Sequence, residues 1–186
     1  MTLTAEQLAD IMLMAGPARI ARYLEPLNVA MADADITTPA RLAMWLAQIA
    51  HESGELRYTE EIASGSAYEY RRDLGNVNPG DGRKYKGRGL LQITGRANYA
   101  ECSRWMAGSD VLLIDNPELL ATDPLFAAKS AAWFWVTRAL NPLADRADVA
   151  LVSRRINGGS NGLAERVRYY DRARLVLGVG QGRPRP

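Results

Sequence analysis

Helix-start signals recur along this chain at short intervals, so whatever it forms must be assembled from many short helices. Thr4 to Gln7 has the form of a capping box, with Thr4 as N-cap and Gln7 at the third helical position. Leu8, Ile11, Met12 and Ala15 follow on one face before Gly16-Pro17. A second helix is expected from Pro17 to about Ala30, with a kink at Pro26, and a third from Thr38-Pro39 to Ser53. Further starts fall at Thr94, Asn116-Pro117, Asp123-Pro124, near Asp148 and near Asn161, the last helix ending at Gly178. One stretch reads differently: Asn76 to Gly82 is turn-rich and Lys84 to Ile93 reads as extended, which predicts a β hairpin. The expected class is α+β, predominantly α-helical, with a small β hairpin.

At 186 residues the chain can bury a real core in one domain, and two would be cramped. Its 47% apolar and 24% charged residues exclude disordered, collagen-like and disulfide-scaffold classes. The single cysteine, Cys102, cannot close an internal disulfide, so packing must hold the fold. No basic residue precedes the short apolar stretch before Gly16, and no run approaches the ~18 apolar residues of a membrane span. Neither a signal peptide nor stable membrane insertion is therefore expected. Residues 1–186 read as one catalytic domain, with N-terminal helices over 1–38, a core over 39–180 and a Gly/Pro/Arg-rich end over 181–186 expected to fray. Charge is uneven: residues 1–61 hold four Arg against nine acids, and residues 154–186 hold eight Arg against two. Such asymmetry suits an anionic polymer or surface, although arginines on a solvated helix face would read the same way.

Candidate chemistry centres on the third helix. Leu42, Trp45, Leu46 and Ile49 form its buried stripe, and the same spacing continues to Glu52. A carboxyl group facing the interior loses hydration, which favours the protonated form that a general acid needs. The plainer reading is a glutamate at a helix end, exposed or paired with an arginine. Glu55, Glu60 and Glu61 follow closely. On an unbroken helix Glu61 would lie about 13.5 Å further along and on the opposite face. Gly54 suggests that the helix stops, and a chain turning back there can bring Glu61 across a cleft from Glu52, at the roughly 6.5–9.5 Å an inverting glycosidase leaves for its water. A solvated surface glutamate is the alternative for Glu61. His51-Glu52 lacks the second histidine of a zinc protease motif, Gly87-Arg88-Gly89 lacks the third glycine of a dinucleotide fingerprint, and Arg88 stands where a phosphate loop needs lysine. No metal and no cofactor is expected, and Cys102 reads as a small packed hydrophobe.

Four blocks occur in order: Ala47-Gln48-Ile49-Ala50-His51-Glu52-Ser53-Gly54, Tyr85-Lys86-Gly87-Arg88-Gly89-Leu90-Leu91-Gln92-Ile93-Thr94, Ala132-Trp133-Phe134-Trp135 and Ile156-Asn157-Gly158-Gly159. Together they resemble glycoside hydrolase family 19, the chitinase family, over roughly residues 40 to 180, and more closely its short bacterial and phage members. The resemblance implies a bilobal, lysozyme-like fold whose cleft binds β-1,4-linked N-acetylated amino sugars. It matches Glu52 to the general acid and Glu61, beside Glu60, to the general base. Thr94 falls where a hydroxyl helps position water, and Gln92, Asn98 and Asn157 match polar residues lining sugar subsites. Arg166 matches an arginine that buttresses the carboxylates, while Asn161 stands where plant members carry an acid. Tyr68, Tyr85 and Tyr99 could stack on sugar faces or pack in the core; Trp133, Phe134 and Trp135 read mainly as core.

The resulting expectation is an endolysin-like glycosidase acting on peptidoglycan by an inverting mechanism, made in the host cytoplasm without a signal peptide and reaching the wall after a holin-dependent release. A chitinase, or a glycan-binding protein without turnover, is the alternative. The expected partner is peptidoglycan or a chitin-like glycan. No nucleic-acid motif accompanies the arginines, and a monomer is expected.

Overall fold

Side-chain caps set the starts of four helices in the computed structural model, which describes residues 1–180; the expected frayed end at 181–186 lies outside the described residues. Helix α1 spans Ala5–Ile11 behind the Thr4–Gln7 capping box. α2 (Pro17–Asp33) runs uninterrupted through Pro26, three residues past the expected end at Ala30. α3 (Pro39–Glu52) begins behind Thr38, whose hydroxyl accepts from the Arg41 amide. Short 3-10 turns at Ser66–Tyr68 and Arg72–Leu74 lead to α4 (Asp81–Lys84) and α5 (Arg96–Ala107). The second half carries α6 (Val111–Asp115), α7 (Leu119–Thr122), α8 (Pro124–Thr137), α9 (Asn141–Asp145), α10 (Val149–Asn157) and α11 (Leu163–Val176). At the head of α8 the Asp123 carboxylate accepts from the Leu125 amide at 2.8 Å and the Phe126 amide at 3.3 Å, a cap worth about 1 kcal/mol.

α8 is apolar on nearly every side and buries Ala127, Ala128 and Ser130 through Trp135, so it fills the centre while α2 packs against it. Trp133, Phe134 and Trp135 are core, and the Trp135 indole donates to Asn141 Oδ1 at 2.8 Å. α3 is buried along most of its length and packs against α11, which positions the first candidate carboxylate. Cys102 is fully buried, and burial pushes its thiol well above the ordinary range, in keeping with a packing role.

Two local expectations are corrected. The β hairpin is reduced to isolated bridges pairing Arg88 with Glu60 and with Ile93. At the start of the segment, the Asp81 carboxylate collects the Val77 and Asn78 amides, each at 3.0 Å, and the Arg96 guanidinium, folding the end of the expected turn and Lys84, the first residue expected to be extended, into α4. The helix expected to start at Thr94 starts at Arg96, because the Thr94 hydroxyl turns to the Gln92 carbonyl instead of capping. Within the described residues no helix is long and apolar enough to cross a membrane.

Candidate active site

Glu52 ends α3 facing α11, with about a fifth of its side chain exposed (19%), and it is bonded to the Arg166 guanidinium. Arg166 is only 1% exposed, and its other terminal nitrogen donates to Gln48 Oε1 at 2.6 Å. Gln48 and Glu52 are one helical turn apart, so a single guanidinium fork grips two successive positions of one helix face and fixes the carboxylate's orientation. His51 is engaged next door: its Nδ1 lies 2.5 Å from Glu165 Oε2. A Cβ at Gly162 would lie 2.2 Å from the His51 ring, so the left-handed turn into α11 admits the imidazole only because that position has no side chain. Asn157 is bonded through its amide to the Asn161 carbonyl at 2.8 Å, with its own oxygen accepting from Gly159.

After α3 the chain reverses through three successive left-handed residues, Gly54, Glu55 and Leu56, with φ of 55°, 56° and 66°. Only the first is a glycine. Glu55 is held in this unfavourable conformation by burial and bonding: it is 4% exposed and accepts from the Met14 amide and from the Tyr169 hydroxyl at 2.9 Å. The Arg57 and Tyr58 amides then return to the Ser53 carbonyl, completing the reversal.

The reversal brings Glu61 against the segment 85–98. The Glu61 amide donates to the Gly87 carbonyl at 2.9 Å, and the Gly87 amide donates back to Glu61 Oε2 at 3.1 Å. The Tyr68 hydroxyl donates to the other carboxylate oxygen at 3.1 Å. Burial, reinforced by the Glu61 charge and this hydrogen bond, pushes the Tyr68 phenol above its ordinary range, which keeps it a donor. Gln92 closes on the same glycine, since a Cβ at Gly87 would meet Gln92 Oε1 at 2.9 Å and Glu61 Oε2 at 3.2 Å. Thr94 and Asn98 continue the segment, the Asn98 amide donating to the Thr94 carbonyl at 2.7 Å. Glu60 points elsewhere, into an ion pair with Arg88 at 2.8 Å and Lys86 at 3.4 Å.

Two expected substrate contacts are corrected by burial. Tyr85 is fully buried, its hydroxyl donates to the Ile114 carbonyl, and it packs edge-on against the equally buried Tyr99, so neither ring offers a face to a sugar. Arg166 likewise has no surface for substrate, and its terminal nitrogens bond Glu52 and Gln48. Tyr68 keeps partial exposure but presents its hydroxyl to Glu61. Sequence reasoning passed over Gln48 and the Gly87 amide. Gln48 had a readable signal, a polar side chain one turn before Glu52 on an apolar face. The Gly87 amide had none, because backbone donors carry no sequence identity. No group of three or more His, Cys, Asp or Glu side chains that could hold a metal ion comes together among the described residues.

The chain as a whole is similar to known proteins. The family model for class I chitinases, glycoside hydrolase family 19, matches residues 27–151. A glycosyl hydrolase family 19 domain-containing protein of Haemophilus influenzae is 32% identical over 191 residues, covering 86% of this chain and 91% of that protein. The Solanum tuberosum endochitinase is 33% identical over 180 residues, but these span 53% of its own length, and the chain covers about half of the plant relatives it matches. Among solved structures, the family 19 class IV chitinase of Zea mays aligns with a TM-score of 0.74 at 26% identity, over 97% of this chain and 95% of that one. Chitinase C of Streptomyces griseus aligns with a TM-score of 0.75 at 23% identity, covering 97% and 78%, a likeness of fold.

Proposed function

The chain belongs to glycoside hydrolase family 19 and is a glycosidase with that family's lysozyme-like fold, and from this premise we propose that it cuts the β-1,4 bonds of the peptidoglycan glycan strand with inversion. Glu52 is the proposed general acid, giving its proton to the leaving glycosidic oxygen. Glu61 is the proposed general base, taking a proton from water that attacks the opposite face of the sugar as oxocarbenium character develops. Gln92, Asn98 and Asn157 are the proposed partners for N-acetyl groups and hydroxyls, and Thr94 for the water.

The observation that carries this assignment is the contrast between two adjacent glutamates. Among the described residues the Glu60 carboxylate is tied to two cations, Arg88 and Lys86, whereas the Glu61 carboxylate accepts from neutral donors, the Tyr68 hydroxyl and the Gly87 amide, and Lys86 reaches only the Glu61 backbone carbonyl, at 3.0 Å. A carboxylate held by neutral donors keeps lone pairs free to accept a proton; one engaged by two cations is committed to structure. Glu61→Gln is accordingly expected to lower kcat by about a hundredfold or more, while Glu60→Gln retains turnover and loses thermal stability. The reverse ranking, measured by reducing-end release from purified walls, would transfer the role to Glu60. Tyr68→Phe is expected to cost about tenfold in kcat with KM little changed, the worth of one hydrogen bond to a charged group. A rise in KM alone would make Tyr68 a sugar-binding residue instead.

The peptidoglycan assignment draws on the arginine-rich C-terminal third, which suits a polymer bearing anionic groups. In that role the protein acts as a phage or prophage endolysin at the cell wall, reached after release from the host cytoplasm. Chitin is the second reading, favoured by the endochitinase identity of the plant relatives. Mass spectrometry of digested walls decides: the sugar at the new reducing end identifies the bond, and walls left intact while chitin oligomers are cleaved would establish the second reading.

A further inference from the structure

The turn that reverses the chain after α3 also forms a recess that the acid–base mechanism does not use. A hollow of about 340 Å³ opens between this turn, Met14 and Arg19, with Arg57 and Tyr58 on its rim. A smaller one of about 160 Å³ adjoins it along α11 and is walled by Arg168 and Arg172. Glu55 and Tyr169, bonded to each other, line both, so the two hollows adjoin across a shared wall and are treated as one recess.

Its charge is unbalanced. Among the described residues none of Arg19, Arg57, Arg168 and Arg172 has a carboxylate within ion-pair distance. The walls also hold two acids, Glu165, which lies against His51, and Glu55, which neutral donors orient, the Met14 amide and the Tyr169 hydroxyl, so four arginines face two carboxylates. Arg19 and Arg172 each donate to a backbone carbonyl, of Glu55 at 3.0 Å and Ile11 at 3.1 Å. Arg57 and Arg168 are exposed, and Arg57 lies 5.0 Å from the Tyr58 ring centroid, which steadies its plane. The exposed guanidinium forks of Arg57 and Arg168 match carboxylates in pairs.

We propose that this recess is a recognition site for the carboxylate-bearing peptide branch of the glycan strand. The inference rests on the peptidoglycan reading and deepens it. Position supports it: Glu55 is three residues past the proposed acid, and Glu165 precedes the arginine that holds that acid. An extended branch of three or four residues reaches about 10–14 Å from the sugar that bears it. A neutral N-acetylglucosamine polymer offers these arginines nothing, so the site would confer preference for the peptide-bearing strand.

The test compares wild type with Arg57→Ala/Arg168→Ala, both positions being exposed so that the fold survives, as thermal melting will verify. Binding of a soluble muramyl disaccharide with and without its peptide is followed by NMR titration, alongside hydrolysis of intact and amidase-stripped glycan. Wild type is expected to bind the peptide-bearing form about tenfold more tightly, and the double variant to lose that margin together with about tenfold in kcat/KM on intact strands only. Raising the salt concentration should mimic the variant. Equal affinity of wild type for both disaccharides, or equal losses of the variant on both strands, would overturn the site. Wall hydrolysis without any arginine dependence removes the recess and keeps the hydrolase reading; arginine-dependent binding without wall hydrolysis does the opposite.

Discussion

Glu52→Gln is expected to leave the fold intact and lower kcat on purified cell walls by about a hundredfold to ten-thousandfold, the range general acid catalysis contributes. The amide is nearly isosteric and its carbonyl still accepts from Arg166, so the packing of α3 on α11 persists. What disappears is the proton. A sugar alkoxide is a poor leaving group, and without a donor it departs far more slowly however well the strand is bound. Substrate affinity should therefore be nearly unchanged, which an inactive-variant binding assay can measure. Full turnover in this variant, with melting unaltered, would end the acid assignment and with it the mechanism.

Arg166→Ala is expected to have the largest effect on stability. The guanidinium is 1% exposed and satisfies both Glu52 and Gln48; removing it leaves a carboxylate and a buried amide oxygen without their donor. Breaking a buried ion pair from one side costs about 3–5 kcal/mol, and the lower end applies here because Glu52 keeps 19% of its side chain exposed. For a chain of this size that corresponds to a fall in Tm on the order of 10 °C. Activity should fall as well, because the carboxylate loses its fixed orientation. Arg166→Lys should recover part of the stability and less of the activity, since a single ammonium cannot span two helix positions. An unchanged Tm in the alanine variant would mean that the fork is not formed.

Much of the fold is readable along the chain because its boundaries are local. The Thr4 box, Thr38-Pro39, Asp123-Pro124 and Asp148 each satisfy amides within two or three residues, so the cap and the helix it starts lie in one short window. The exceptions come from distant partners. Residues 81–84 are helical because Arg96 completes the Asp81 cluster, and the Arg88–Ile93 pairing stops at a bridge where Leu90 turns its amide to the Ala127 carbonyl on α8. Tyr85 and Tyr99 carry no mark of burial in their sequence context, and an aromatic ring serves a core and a sugar face equally well; packing alone chose the core.

For the candidate site, the sequence by itself determined the types and order of the acidic groups: a glutamate at the end of an apolar helix stripe, a break after it, and a second acidic pair beyond. Which of that pair is available was decided only by tertiary structure. Glu60 and Glu61 are adjacent and chemically the same, and an extended backbone sends neighbouring side chains to opposite faces. Whichever face carries Arg88 and Lys86 neutralises one, and whichever carries Tyr68 and the Gly87 amide orients the other. Those partners come from segments 7 to 28 residues away, brought in by a reversal in which Glu55 and Leu56 take left-handed conformations that only long-range contacts maintain. Conformations sustained by distant contacts are invisible until the chain has folded around them.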